Sequence, residues 1–305
     1  VNLTRFSLLF PEKREFFIDG QQFFNFGIQG VTNNNPDLPA VFFSRRIGIE
    51  NGGVVPIVGG GRLQGRAGRY RIGLLQMRTG DAPEAKSVAT DFSVVRVQRD
   101  FLRRSRIGII GTRRAPSANG HTNYAYGADA VFQFYQNVQF INYIAKTETP
   151  GRDGNDLSYR YRFIWNADRY GVDMEHMTAG EDFNPEMGYL RRPEGFHRVH
   201  TQLRFSPRTK HIPHVRKIYY NANVEYFTDD AFKHVQSREQ QGNFRVDFTS
   251  GDSMQMEVTK TFEGVNAPFA VAKGVRIPAA GYDYTVFRGS YTFGSQRKVS
   301  GTATM

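Results

Sequence analysis

From about residue 55 onwards the chain falls into segments of roughly ten residues in which apolar and polar side chains alternate. A period of two marks a strand with unlike faces, because successive side chains point to opposite sides of a sheet. In residues 123–135, Tyr124, Tyr126, Ala128, Ala130, Phe132 and Phe134 share one face, against Asn123, Gly127, Asp129 and Gln133; Val131 is the apolar exception. Residues 158–166 set Tyr159, Tyr161, Phe163 and Trp165 against Ser158, Arg160, Arg162 and Asn166. Residues 198–205 set Val199, Thr201, Leu203 and Phe205 against Arg198, His200, Gln202 and Arg204. Residues 217–226 set Ile218, Tyr220, Ala222, Val224 and Tyr226 against Lys217, Asn221, Asn223 and Glu225.

The alternation continues at Phe244, Val246 and Phe248, then Met254, Met256, Val258 and Phe262, then Tyr282, Tyr284 and Val286. Turn-forming stretches separate these runs: Thr149-Pro-Gly-Arg-Asp-Gly-Asn, Ser206-Pro-Arg-Thr-Lys, Gln241-Gly-Asn and Ser250-Gly-Asp. The pattern predicts about fifteen strands joined as hairpins, with weaker ones at 69–79 and 231–239. A soluble sandwich or propeller also alternates. Here the apolar face is rich in aromatics, the strands exceed the usual five or six residues, and the polar faces repeatedly carry two or three charges. The expected fold is therefore all-β, an antiparallel up-and-down transmembrane β-barrel over 56–305.

Residues 1–55 lack this period. Phe10-Pro-Glu-Lys-Arg-Glu-Phe-Phe-Ile-Asp-Gly-Gln-Gln-Phe-Phe mixes charge with aromatics, and Asn33-Asn-Asn-Pro-Asp-Leu-Pro reads as a loop. Such backbone cannot satisfy itself in lipid, so the segment is expected inside the lumen or at its rim.

Composition sharpens this picture. With 39% hydrophobic residues and a mean hydropathy of −0.51, the chain holds no apolar run long enough for a helical span. Tyr and Phe, 15 and 26 of them, suit strands and the membrane boundary. The absence of Cys excludes disulfides and thiolate chemistry. The first residues, Val-Asn-Leu-Thr-Arg-Phe, carry no export signal, which is expected upstream.

A net charge of +11 raises nucleic-acid binding, but the basic residues are interleaved, as in Arg96/Arg99, Arg160/Arg162 and Arg198/Arg204, rather than gathered in a stripe. Lumen lining by Arg160, Arg162, Arg198 and Arg204, or contact with lipid and lipopolysaccharide phosphates, fits better than nucleic acid. Arg103-Arg104 and Arg113-Arg114 fall near predicted turns, where such phosphates or the periplasm would be met.

Chemistry-bearing motifs are sparse. Glu181, Asp182 and Glu186, with Glu12 and Asp19 earlier, supply the carboxylates that glycoside hydrolysis needs. The preferred alternative is a charge network with Arg45, Arg46, Arg191 and Arg192, holding irregular segments inside a polar lumen. Arg14 joins these as a ligand or gating candidate. His197 and His200 fall on opposite faces of a strand, and His211-Ile-Pro-His214 has no adjacent acid, so no metal is expected. Gly59-Gly-Gly-Arg-Leu-Gln-Gly lacks the Lys and helix of a phosphate loop, and no Gly-x-Ser-x-Gly elbow occurs. No cofactor is implied.

Several pieces, in order, resemble a family of bacterial outer-membrane barrels of unknown function, commonly found after an N-terminal domain of the family 9 carbohydrate-binding type. They are Phe10-Pro-Glu-Lys-Arg-Glu-Phe-Phe-Ile-Asp-Gly, Phe42-Phe-Ser-Arg-Arg-Ile-Gly, Phe92-Ser-Val-Val-Arg-Val-Gln-Arg-Asp, Tyr126-Gly-Ala-Asp-Ala, Asp182-Phe-Asn-Pro-Glu-Met-Gly-Tyr-Leu-Arg-Arg and Val275-Arg-Ile-Pro-Ala-Ala-Gly-Tyr-Asp-Tyr-Thr. The resemblance implies the bacterial outer membrane, an upstream carbohydrate-binding-type domain, and further strands after Val299-Ser-Gly, but no reaction. On it the chain is expected to be truncated at both ends. Three functions compete: a barrel that passes, or anchors machinery handling, anionic or saccharide ligands; a glycan hydrolase using Glu181, Asp182 and Glu186 at the barrel mouth; and a structural anchor.

Overall fold

The computed structural model describes residues 6, 10–27, 37–118, 121–272 and 274–305. It is dominated by one 14-stranded antiparallel sheet in which sequence neighbours pair throughout. Its strands are β1 (Ile57–Ala67), β2 (Tyr70–Thr79), β3 (Thr90–Phe101), β4 (Ser105–Pro116), β5 (Asn123–Phe134), β6 (Val138–Glu148) and β7 (Leu157–Asn166). They continue as β8 (Tyr170–Ala179), β9 (Phe196–Phe205), β10 (Val215–Thr228), β11 (Val235–Phe248), β12 (Ser253–Val265), β13 (Ala280–Phe293) and the short β14 (Gly301–Thr304). The sheet is open, with β1 and β14 at its edges, so the observed form is an up-and-down meander not closed into a barrel.

Residues paired across antiparallel strands share a face, so the register fixes the sidedness of every strand. Arg162 pairs with Glu175, Glu175 with His200, His200 with Glu225, and Glu225 with Glu239, all on one face. The other face carries Tyr124, Tyr126, Phe132, Phe134, Tyr159, Tyr161, Phe163 and Trp165, as the alternation predicts.

Two expectations need correction. Tyr282, Tyr284 and Val286 pair with Glu263, Thr261 and Thr259, so they belong to the charged face and Phe287 to the apolar one. Polarity alone misleads there because β13 carries apolar residues on both sides. Gln241-Gly-Asn is not a turn, and 231–239 is not a separate strand. Gly242 pairs with Ala222 on one side and Val258 on the other, so β11 runs through it unbroken.

The charged face is concave and is filled from the N-terminal side. Phe17, Phe24, Phe26, Leu38, Val41 and Ile47 form one buried cluster with Leu75, Phe92, Val94, Ile110, Tyr143, Met177 and Phe227 of the sheet. Phe183 and Met187, from the 180–195 connection, complete it. Little regular structure holds the filling segment: a helical turn at Glu15–Ile18 and 3-10 turns at Gln21–Phe23 and Ser44–Arg46. Its order comes from packing, since side-chain burial at about 25 cal/mol per Å² of apolar area is its main source of stability. The loop at 33–36 lies outside the described residues.

The two ends of the sheet differ. Turns at 68–69, 102–104, 135–137, 167–169 and 249–252 are short, apart from the longer connections at 206–214 and 294–300 of the same end, whereas the opposite end carries connections at 80–89, 149–156, 180–195 and 266–279. Two small ribbons lie outside the sheet, Ile49–Glu50 with Gly53–Val54 and Phe269–Ala272 with Val275–Ile277.

Candidate functional site

The most constrained place in the molecule is where residues 24–27 meet the concave face. Arg96 of β3, only 1% exposed, extends beneath this segment. Its guanidinium pairs with Asp129 of β5 at 2.7 Å and donates from Nε to the Asn25 carbonyl at 3.0 Å. Asp129 in turn accepts the Gly27 backbone N–H at 3.1 Å, and Gln98 donates to the Asn25 carbonyl at 3.2 Å. The backbone of the N-terminal segment is therefore held at both a donor and an acceptor by one buried ion pair.

Glycines make this approach possible. A Cβ at Gly108 would lie 2.6 Å from Arg96 Nη1, and one at Gly127 would lie 2.7 Å from the Phe26 ring. Phe26 packs against Tyr143 with centroids 5.4 Å apart.

Beside this latch runs a ladder of opposite charges. Arg160 donates to Glu175 at 2.9 and 2.5 Å, and weakly to the Gly27 carbonyl at 3.4 Å. Arg162 forks onto Asp173 at 2.8 and 2.5 Å, and Arg198 bridges Glu175 and Glu225. Arg204 binds the neighbouring turn through Asn166 and Ser206, both at 2.7 Å. All four arginines assigned to the lumen side thus sit on the concave face, already engaged with protein acceptors.

The irregular segments expected to meet do so. Ala40 and Tyr189 exchange backbone hydrogen bonds, both at 2.9 Å, and Phe43 donates to the Met187 carbonyl at 2.7 Å. The pairings among their charges differ from those expected. Glu12 accepts from Arg14 at 2.9 and 2.7 Å and from the Ser44 hydroxyl at 2.8 Å. Asp19 pairs with Arg62 of β1 at 2.7 Å. Glu186 binds Arg114 and His121, both at 2.9 Å, and Arg191 and Arg192 share Asp37, each at 3.1 Å. Arg45 and Arg46 donate to the Pro11 and Gly188 carbonyls, each at 2.9 Å. The reason is proximity: Glu12 finds an arginine two residues away, Asp19 and Glu186 find sheet arginines, and Arg45 and Arg46 serve backbone acceptors.

Burial pushes the Glu12 carboxyl up. The hydrogen bonds from the Arg14 side chain and backbone, the Ser44 hydroxyl and the Arg14 charge outweigh that, holding it at about 2 instead of 4.5. The carboxylates once considered for hydrolysis face different partners, Asp182 accepting the Gly154 N–H at 2.9 Å while Glu186 holds Arg114 and His121. Among the described residues no group of three or more His, Cys, Asp or Glu could hold a metal ion.

Sequence reasoning missed Asp129, Asp173 and Glu175 as site residues. A signal existed, since alternation places Asp129 on a polar face. What alternation cannot give is which strands are neighbours.

Among the described residues, two sizeable cavities on the concave face are lined by charged side chains. One of about 660 Å³ lies at the short-turn end and is lined by Arg66, Arg71, Arg96, Gln98, Asp100 and Arg106 among others. Another of about 550 Å³ is bordered by Arg192, Glu225, Glu239, Thr261, Tyr282 and Tyr284. Comparison of the chain with protein-family models, curated proteins and solved structures finds no match.

Proposed function

We propose that this chain forms the wall and internal plug of a bacterial outer-membrane β-barrel that handles anionic ligands at its lumen. The observation that carries this reading is the outward face. At the short-turn end an aromatic row runs from strand to strand: Phe134 to Phe140 at 6.1 Å, Phe140 to Phe163 at 5.2 Å, Trp165 to Tyr170 at 6.3 Å, Tyr170 to Phe205 at 5.4 Å, and Tyr220 to Phe244 at 5.3 Å. Towards the long-loop end lies a second set, Tyr124, Tyr126, Tyr159, Tyr161 and Tyr226. On the same face Ile109, Ile144 and Val199 are 59%, 51% and 45% exposed, Ile144 beside Tyr159 and Val199 beside Tyr226.

Aqueous surfaces rarely leave so large an apolar area uncovered, and outer-membrane barrels have an apolar band flanked by aromatic girdles, although the same face here also carries Asn142, His176, Gln240 and Lys260. The scale agrees. From Tyr124 to Phe134 the chain advances about 33 Å at roughly 3.3 Å per residue. A strand tilt of about 40° reduces that to about 25 Å, the height of a barrel's lipid-facing band.

A free edge in lipid leaves backbone groups unsatisfied, so this reading requires the edges at β1 and β14 to be paired in the membrane. Short turns would face the periplasm and the longer connections the exterior. The charge ladder and the plug favour a closed resting lumen over a wide water-filled channel. The charges of the Arg160–Arg162–Arg198 ladder are committed to structural partners, which favours handling or gating over hydrolysis.

The full-length protein should require detergent for extraction and fractionate with outer membranes. A monodisperse monomer of that protein in detergent-free buffer would refute the reading.

A further inference from the structure

We propose that the cavity at the short-turn end of the concave face is a binding site for a compact polyanion of the phosphate class, held chiefly by Arg66, Arg71 and Arg106. The inference rests on the anionic-ligand reading above and gives it a place and a ligand class.

The cavity, about 660 Å³, is lined by seven arginines and only two carboxylates, Asp100 and Asp129. Asp129 is consumed by Arg96 at 2.7 Å. That leaves Asp100 shared by three guanidiniums, Arg106 at 2.6 Å, Arg71 at 3.4 Å and Arg66 at 3.5 Å. One carboxylate cannot neutralise three cations, and only the first of these contacts is short. Arg69, Arg103 and Arg104 add charge at the mouth from the adjoining turns.

Such an excess of like charge in a walled site is costly without a counter-charge, and a low-dielectric surround focuses its field on entering anions. Guanidinium forks match the oxygen geometry of phosphate and carboxylate alike. A ligand with several charges in a small volume matches the excess; a lone carboxylate does not.

Gln98 is 3% exposed and lines the cavity, its Nε2 donating to the Asn25 carbonyl at 3.2 Å. Gln22, Asn25 and the Arg96–Asp129 pair also line it, beside the buried Phe24 and Phe26.

The test uses the whole chain folded in a zwitterionic detergent, with inorganic tripolyphosphate titrated calorimetrically at low and moderate salt. Saturable binding that weakens with salt is expected, falling at least about tenfold in Arg71→Gln/Arg106→Gln. Arg69→Gln and Arg103→Gln, placed in turns where folding is least at risk, should each weaken it about two- to fivefold. Arg113→Gln, on the outward face near the long loops, should leave it unchanged. Absence of saturable binding, or equal loss in Arg113→Gln, would overturn the proposal. Equally tight binding of an oligogalacturonate would overturn the phosphate assignment. Membrane fractionation is measured separately, so a membrane-embedded protein that ignores tripolyphosphate refutes this site alone.

Discussion

Removing the Arg96 side chain should release the plug. Arg96 is 1% exposed, forms a 2.7 Å ion pair with Asp129 and a 3.0 Å hydrogen bond to Asn25, and lies 5.5 Å from the centroid of the Phe26 ring. Arg96→Ala would leave the Asp129 carboxylate, 8% exposed, without its counter-charge. Breaking one side of a buried pair typically costs about 3–5 kcal/mol, against about 0–1 kcal/mol for an exposed pair. A loss in that upper range is expected, together with protease access to residues 10–27. The double variant Arg96→Met/Asp129→Leu removes both charges and keeps much of the volume, so it should recover a good part of the loss. The assay is equilibrium urea unfolding of the chain in detergent, with limited proteolysis alongside. A cost below about 0.5 kcal/mol, or single effects that add in the double variant, would refute the latch.

Ile144, 51% exposed on the outward face and paired with Ala128 and Tyr159 near the middle of β6, should tolerate Arg poorly. The expected cost in lipid is about 2–4 kcal/mol, and equal stability in bilayers would contradict the sidedness. Glu12 titrates lower in the folded chain than in the unfolded one, so its contribution is fully present above about 4.5 and is lost as pH falls towards about 2. The gap in melting temperature between wild type and Glu12→Gln should narrow across that window, and a gap independent of pH there would remove the Arg14 and Ser44 account.

Much of the architecture was legible because one face of several strands is aromatic. In β5, β7, β9 and β10 the alternation lets residue type assign the faces, with Val131 and Tyr219 as the apolar exceptions. Where both faces are mixed, as around Tyr282 and Tyr284, only the register with Thr261 and Glu263 decides. Gln241-Gly-Asn has the composition of a turn, yet continuous pairing on both sides keeps it in a strand. The meeting of the irregular segments followed from their unsatisfied charges and aromatics. Their partners did not, because Arg62 and Arg114 lie on strands whose place beside the plug is a property of the folded sheet. The latch was hidden for the same reason: Arg96 and Asp129 are 33 residues apart and meet across an intervening strand.

Trp165 is the single tryptophan of the chain and lies on the outward face in the aromatic row of the short-turn end. Its fluorescence in the full-length protein reconstituted into bilayers therefore reports on the central claim without labelling. Lipids brominated near the headgroup should quench it strongly, and a water-soluble quencher confined to the bulk should act weakly. Insensitivity to brominated lipid, with free access to the aqueous quencher, would place the aromatic face in water and contradict the membrane-barrel account.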